Sequence, residues 1–205
     1  RNEAGEYVET DYLMPSYNGS VDPDDSSSSA NGQLSKADYI EILKYAWERR
    51  ISVIPEFDTP GHSRAAIKAM DAYSERVGND DYRLSDPEDV SEYMSVQYYR
   101  DNALNVAMPS TYKFIEVVFD EIIAYHKEAG VPLPAIHVGG DEVPAGAWVG
   151  SPACQKIMKE RGWDNIELMK SYYVENVLDI AEARGVKISG WQELVMDLED
   201  HVYER

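Results

Sequence analysis

The sequence predicts an α/β fold built around a parallel sheet. Three observations predict it. A helix-then-strand unit recurs three times along the chain, two of the three helices stop at a glycine just before their strand, and polar and aromatic residues gather directly after each strand. Repetition of helix, glycine and strand is the signature of βα units. In such folds the C-terminal ends of the parallel strands carry the functional groups.

The first unit opens at Ser35, which forms a capping-box-like start with Asp38, and Tyr39, Ile40, Leu43 and Trp47 follow at helical spacing. Arg49 and Arg50 stand where a helix C-terminus favours positive charge. The β-rich run 51–54 comes next and meets Pro55, a residue tolerated near a strand end. The second unit is a helix over about 110–129, with Phe114, Val117, Val118, Ile122 and Tyr125 on its apolar face, closed by Gly130 and followed by a strand over 135–138. In the third, a helix over about 165–184 carries Leu168, Met169, Tyr172, Val177 and Ile180, ends before Gly185, and leads into a strand over 186–189. Residues 1–34 are polar and without periodicity, a loop-rich opening segment. Its Asp22, Asp24 and Asp25 lack the glycine and terminal glutamate that a calcium loop requires. The connection 71–109 is long, and it contains Tyr98 and Tyr99, to which no role is assigned. Trp148 and Trp163 are expected to pack loops.

Composition narrows the function classes. The 205 residues, 43% of them hydrophobic, suffice for one core and point to a single domain. With 19 basic and 38 acidic residues the net charge is −19, which repels phosphate backbones and anionic lipid, so neither nucleic acid nor a membrane surface is an expected partner. No apolar run approaches the roughly 18–20 residues that cross a bilayer. Cys154 is the only cysteine, which rules out an internal disulfide and a cysteine zinc cage. The chain starts at Arg1, and the lack of a leader says nothing about secretion.

The chemistry-bearing residues follow the strands. Strand 135–138 runs into Gly139-Gly140-Asp141-Glu142. Neighbours within a strand point to opposite faces, but where the chain turns at a strand end two adjacent carboxylates can face one cleft. One of them can then serve as a proton donor and the other as an electrostatic stabiliser, because like charges resist joint ionisation. After strand 51–54 come Pro55-Glu56-Phe57-Asp58-Thr59-Pro60-Gly61-His62, and His62 can orient a carboxylic acid through a hydrogen bond. After strand 186–189 come Gly190-Trp191-Gln192-Glu193, where Trp191 either packs in the core or offers a platform to the apolar face of a sugar. His137, inside its strand, is expected in the wall of the sheet.

Those three blocks, and above all His137-Val138-Gly139-Gly140-Asp141-Glu142, resemble glycoside hydrolase family 20, most closely its bacterial β-N-acetylhexosaminidases; the likeness runs from about Leu34 to Leu194. The resemblance implies a (β/α)8 barrel that removes terminal β-linked N-acetylglucosamine or N-acetylgalactosamine. It implies substrate-assisted catalysis, in which the sugar's 2-acetamido oxygen attacks C1 and gives an oxazolinium-type intermediate. In that scheme Glu142 is the general acid and base, Asp141 orients the acetamido group, and His62 supports Glu142. Trp191 walls the acetamido pocket, and Asp58 belongs to the substrate-binding set. No cofactor and no metal is called for, the partners are N-acetylhexosamine-terminated glycans, and a secreted or periplasmic location is favoured.

A whole barrel of this kind takes about 250 residues, so the resemblance leads to the expectation of a central barrel segment, whose open strand edges could promote self-association. The sugar-gripping arginine of the family and the aspartate it pairs with its supporting histidine have no counterpart in the quoted blocks. Two rival readings follow from the residues alone. One is a metal-dependent hydrolase using His62, His137, Asp141 and Glu142, without a tight ligand spacing. The other is a sugar-binding or structural segment without turnover.

Overall fold

The structure, a computed structural model, describes residues 34–194. The expectations for the polar opening segment and its Asp22, Asp24 and Asp25 therefore lie outside the described residues. The elements in chain order are helices α1 (Lys36–Glu48), α2 (Arg64–Val77) and α3 (Pro109–Ala129), strand β1 (Ile136–His137), helices α4 (Pro152–Arg161) and α5 (Leu168–Ala183), and strand β2 (Ile188–Ser189). A single 3-10 turn over Gln192–Leu194 follows β2.

Helix α1 begins as its sequence dictates. The Ser35 side chain accepts from Asp38 N, and the Asp38 carboxylate accepts in return from Ser35 N at 2.9 Å, a reciprocal capping box. Helix α3 stops at Gly130, whose φ of 68° is the left-handed conformation that closes a helix.

β1 lies between two parallel neighbours. On one side Ile136 pairs with Ile188 and His137 with Ser189. On the other, His137 N donates to Pro55 O at 2.9 Å and Phe57 N to His137 O at 2.8 Å, forming a parallel bridge between Glu56 and His137. The first strand thus makes its sheet contacts at 55–57 and not over 51–54 as expected. Pro55 has no N–H to give, but its carbonyl serves the ladder, so the proline sits inside the pairing segment. Ile51 and Ile54 remain 57% and 52% exposed.

Alternation along the strands sorts the two faces. Ile136 and Val138 are buried with Ile115 and Phe119 of α3 and with Met169, Tyr173 and Val177 of α5. Glu56, His137 and Ser189 share the opposite, polar face by register. The helices therefore cover one side of the sheet, and the chemistry lies along the other side and at the strand ends.

Several expectations are corrected. The connection taken as 71–109 starts later, because α2 occupies Arg64–Val77 and its chain leaves the helix at Gly78. Of its buried residues only Ile67 is a large apolar one, beside Arg64 and Ser74, so hydrophobic periodicity was faint. Helix α4 also lay outside the expectation, although Ser151 caps it, Pro152 starts it and Gly162 closes it. Helix α5 begins at Leu168, because Asn165 is taken up in a turn in which its side chain accepts from Glu167 N at 3.0 Å. Trp148 packs against a loop as expected: it is buried, and its indole N–H donates to Leu104 O in the long connection at 2.8 Å.

Candidate active site

Three turns meet at the C-terminal ends of the parallel strands. Thr59 N donates to Val138 O at 3.1 Å, and Trp191 N donates to Gly139 O at 2.8 Å, so the turns after the first and last strands are both bonded to the one after β1. This approach is too close for side chains in two places. A Cβ on Gly139 would collide with Asp58, and one on Gly61 would come within 2.9 Å of Asp141 O. Gly139 also has φ 69° and Gly140 φ 94°, backbone that L side chains rarely adopt.

His62, Asp58, Asp141 and Glu142 converge there. His62 Nε2 lies 3.4 Å from Glu142 Oε2, 3.5 Å from Asp141 Oδ2 and 4.0 Å from Asp58 Oδ2. His62 and Glu142 both have φ 49°, the left-handed region. For residues with a Cβ this costs about 1–2 kcal/mol each, and such strain concentrates where geometry serves function. Asp141 Oδ1 and His62 Nε2 are buried and make no hydrogen bond.

Asp58 sits against the double-glycine turn, with Oδ1 accepting from Gly140 N at 3.3 Å. Burial pushes its pKa up to about 6, the Asp141 carboxylate adds to the rise, and His62 and the Gly140 N–H oppose it. The folded chain therefore holds this proton more tightly than the unfolded chain. Stability from this group is fully present below about pH 4 and is lost as pH rises through about 6. Asp58→Asn, neutral at every pH, is expected to be more stable than the parent at pH 7.5, by up to about 2 kcal/mol, and to match it near pH 4. Denaturant midpoints at the two pH values measure this; an equal offset at both would show that the Asp58 charge carries no such penalty.

Glu142 is the most open of the group, and a residue from far along the chain holds it: Gln97 Nε2 donates to Glu142 Oε2 at 2.8 Å. Gln97 rides on a tight turn in which Ser95 N donates to Tyr99 O at 2.8 Å and Tyr98 N to Ser95 O at 2.9 Å. The loop is fastened to the start of α2, where Asp101 bonds Arg64 Nε at 2.7 Å and Lys68 Nζ at 2.6 Å. Burial alone would raise the Asp101 pKa, but the bonds from Lys68 and Arg64 outweigh it and hold the carboxyl low. Tyr98 and Tyr99 directly follow Gln97 in the chain, so the long connection does reach the site, through a residue that no motif had marked.

Trp191 is 47% exposed, and its ring meets the His137 ring edge-on with centroids 5.0 Å apart. The tryptophan is thus a half-open surface at the end of β2 and not a core residue. His137 is half-buried, with Nδ1 3.7 Å from Glu56 Oε2. Asp58, His62 and Asp141 also place ligand atoms within 4.8 Å of one another, the one grouping among the described residues that could hold a metal ion. His137 and Glu142 stand outside that grouping.

Residues 12–204 match glycosyl hydrolase family 20, catalytic domain. The chain is 41% identical over 175 residues to a beta-hexosaminidase of Vibrio vulnificus, covering 81% of this chain and 20% of the relative. It is 38% identical over 198 residues to beta-hexosaminidase B of Pseudoalteromonas piscicida, covering 93% and 25%. The chain therefore spans a quarter or less of the length of these relatives. Among solved structures it is similar to the exo β-N-acetylglucosaminidase of Vibrio harveyi in complex with N-acetylglucosamine, with a TM-score of 0.70, 35% identity, and coverage of 82% of this chain and 24% of that one.

Proposed function

The chain belongs to glycosyl hydrolase family 20, and from that premise we propose that it carries the catalytic centre of a retaining exo-β-N-acetylhexosaminidase. The substrates would be glycans ending in β-linked N-acetylglucosamine or N-acetylgalactosamine. The relatives' names and the sugar held by the Vibrio harveyi enzyme support this reading. The architecture it implies is a (β/α)8 barrel, with segment 55–57, β1 and β2 as three adjacent staves and the site at their C-terminal ends.

The observation that carries the proposal is the unequal treatment of two neighbouring carboxylates. Glu142 faces outward, reachable by a leaving group and held by Gln97. Asp141 keeps one buried oxygen, Oδ1, without a partner. A proton donor must reach the glycosidic oxygen, which suits Glu142. An acceptor for the acetamido N–H must be fixed and dry, which suits Asp141 Oδ1. With its N–H held there, the acetamido carbonyl can close on C1, and Asp141 stabilises the positive charge that develops. His62 lies against both carboxylates and can bond whichever oxygen carries charge. In the second step Glu142, now ionised, takes a proton from the water that opens the cyclic intermediate at C1. Attack from opposite faces in the two steps retains the configuration.

The test is turnover of an aryl N-acetyl-β-glucosaminide by the longest natural form of the protein, followed by proton NMR. Initial release of the β-anomer is expected. Initial release of the α-anomer would refute the retaining mechanism. A metal-dependent reading has one observation in its favour, the convergence of Asp58, His62 and Asp141. Loss of activity on exhaustive chelation, restored by zinc, would favour it over the substrate-assisted one.

A further inference from the structure

We propose that Glu193 is a positioning residue for Glu142, holding the main chain of the acid/base in its left-handed conformation. The inference rests on the reading of Glu142 as proton donor.

β1 and β2 are adjacent, so the turns that leave them run side by side, and they are clasped at three successive points. Trp191 N donates to Gly139 O at 2.8 Å. Leu194 lies against Gly140 so closely that a Cβ there would come 2.5 Å from its Cδ1. Glu142 N donates to Glu193 Oε2 at 2.8 Å. The 3-10 turn that presents Glu193 is closed by Leu194 N donating to Trp191 O at 3.0 Å.

The third contact is the informative one. The first two bring together backbone and apolar groups, as any pair of packed turns would. The third is a charge-assisted bond donated by one chosen amide to a carboxylate, and that amide belongs to a glutamate at φ 49°. A non-glycine residue there tends to relax, since the conformation costs about 1–2 kcal/mol. Relaxation would re-aim both the Glu142 amide and its Cα–Cβ bond, carrying the carboxyl away from the leaving oxygen. Glu193 opposes that movement at the main chain, while Gln97 holds the carboxyl at the other end of the same residue. The acid is thus fixed from both ends, by residues 51 and 45 positions away. The Gly-Trp-Gln-Glu block accordingly acts through its final residue as well as through Trp191.

The experiment compares Glu193→Ala and Glu193→Gln with the parent in the longest natural form of the protein, on an alkyl N-acetyl-β-glucosaminide and on a dinitrophenyl one. Misplacing a catalytic group by about 1 Å can cost about 10²-fold. Glu193→Ala is therefore expected to lower kcat/KM, which reports the first step, about 10–10²-fold on the alkyl substrate and far less on the dinitrophenyl substrate. Glu193→Gln keeps an acceptor oxygen and should recover most of the loss. Equal losses on both substrates, or Glu193→Gln as impaired as Glu193→Ala, would overturn the inference, since the role would then be general packing or the charge itself. Glu193→Leu, which keeps the bulk without the acceptor, provides the same comparison if the alanine variant does not fold. Glu142→Gln serves as the control. If it shows no dependence on leaving group, the assignment of the acid has failed; if it does and Glu193→Ala does not, only the present inference has.

Discussion

Glu142→Gln is expected to slow hydrolysis of substrates with poor leaving groups by about 10²–10⁴-fold, the usual contribution of a positioned proton donor. The substitution should be local in its effect. Glutamine has nearly the same shape, its carbonyl oxygen can still accept from Gln97, and the main-chain bond to Glu193 is unaffected. What is lost is the proton. An alkyl or sugar leaving group departs as a strong base and needs that proton in the transition state, whereas a dinitrophenolate does not. The first step should therefore be nearly normal with the activated aryl substrate and crippled with the disaccharide. The activated substrate then exposes the second step, where Glu142 is the base that the variant also lacks, so a fast initial release followed by slow turnover is expected. Stopped-flow release of the phenolate separates the two phases. Equal slowing on every leaving group would mean that Glu142 holds the turn together and does not transfer the proton.

The parts of this architecture that the sequence reveals are those whose causes are local. Ser35 and Asp38 lie three residues apart, and their mutual bonds can be read directly from the chain. Gly130 marks the end of α3 because a left-handed residue has to stand there. Asp141 and Glu142 were legible because a double glycine after an apolar strand has few other uses. Helix α2 is not legible in the sequence, for a different reason. Its buried side includes an arginine and a serine, and Arg64 is accommodated by Asp101, a partner 37 residues away. A pattern of apolar residues cannot report burial that is made acceptable by a distant charge. The same limit hid Gln97 and Glu193 as supports of Glu142. Each makes a single hydrogen bond to it across a long stretch of chain, which no periodicity encodes. Glu193 is visible in the sequence as part of a block, but its role depends on β1 and β2 being neighbours, a matter of topology.

Dependence on the acetamido group is the second large effect. If the substrate's own 2-acetamido oxygen attacks C1, a β-glucoside with a plain hydroxyl at C2 brings no nucleophile. It should be turned over at least about 10³-fold more slowly than the acetamido sugar, since an oriented intramolecular group is worth several kcal/mol. A thiazoline that copies the cyclised intermediate should inhibit strongly, because it resembles the species the site stabilises most. Asp141 connects the two observations. Its Oδ1 is buried without a partner, and its Oδ2 lies 3.5 Å from His62 Nε2, which leaves one oxygen for the acetamido N–H. Asp141→Asn keeps the volume and removes the charge that faces the developing cation. Turnover of the acetamido substrate should fall by about 10²–10³-fold, and thiazoline affinity should fall in parallel. The residual rate on the plain glucoside should hardly change, because that substrate has no acetamido group for Asp141 to act on. The two substrates should therefore converge in the variant. The opposite finding would be a stable ester between the sugar and a protein carboxylate, detected by mass spectrometry of peptides containing Asp141, Glu142 or Glu193 after reaction with a fluorinated slow substrate. A carboxylate would then be the nucleophile, the acetamido group a mere recognition element, and Asp141 would need to be recast as a participant in an ordinary two-carboxylate displacement.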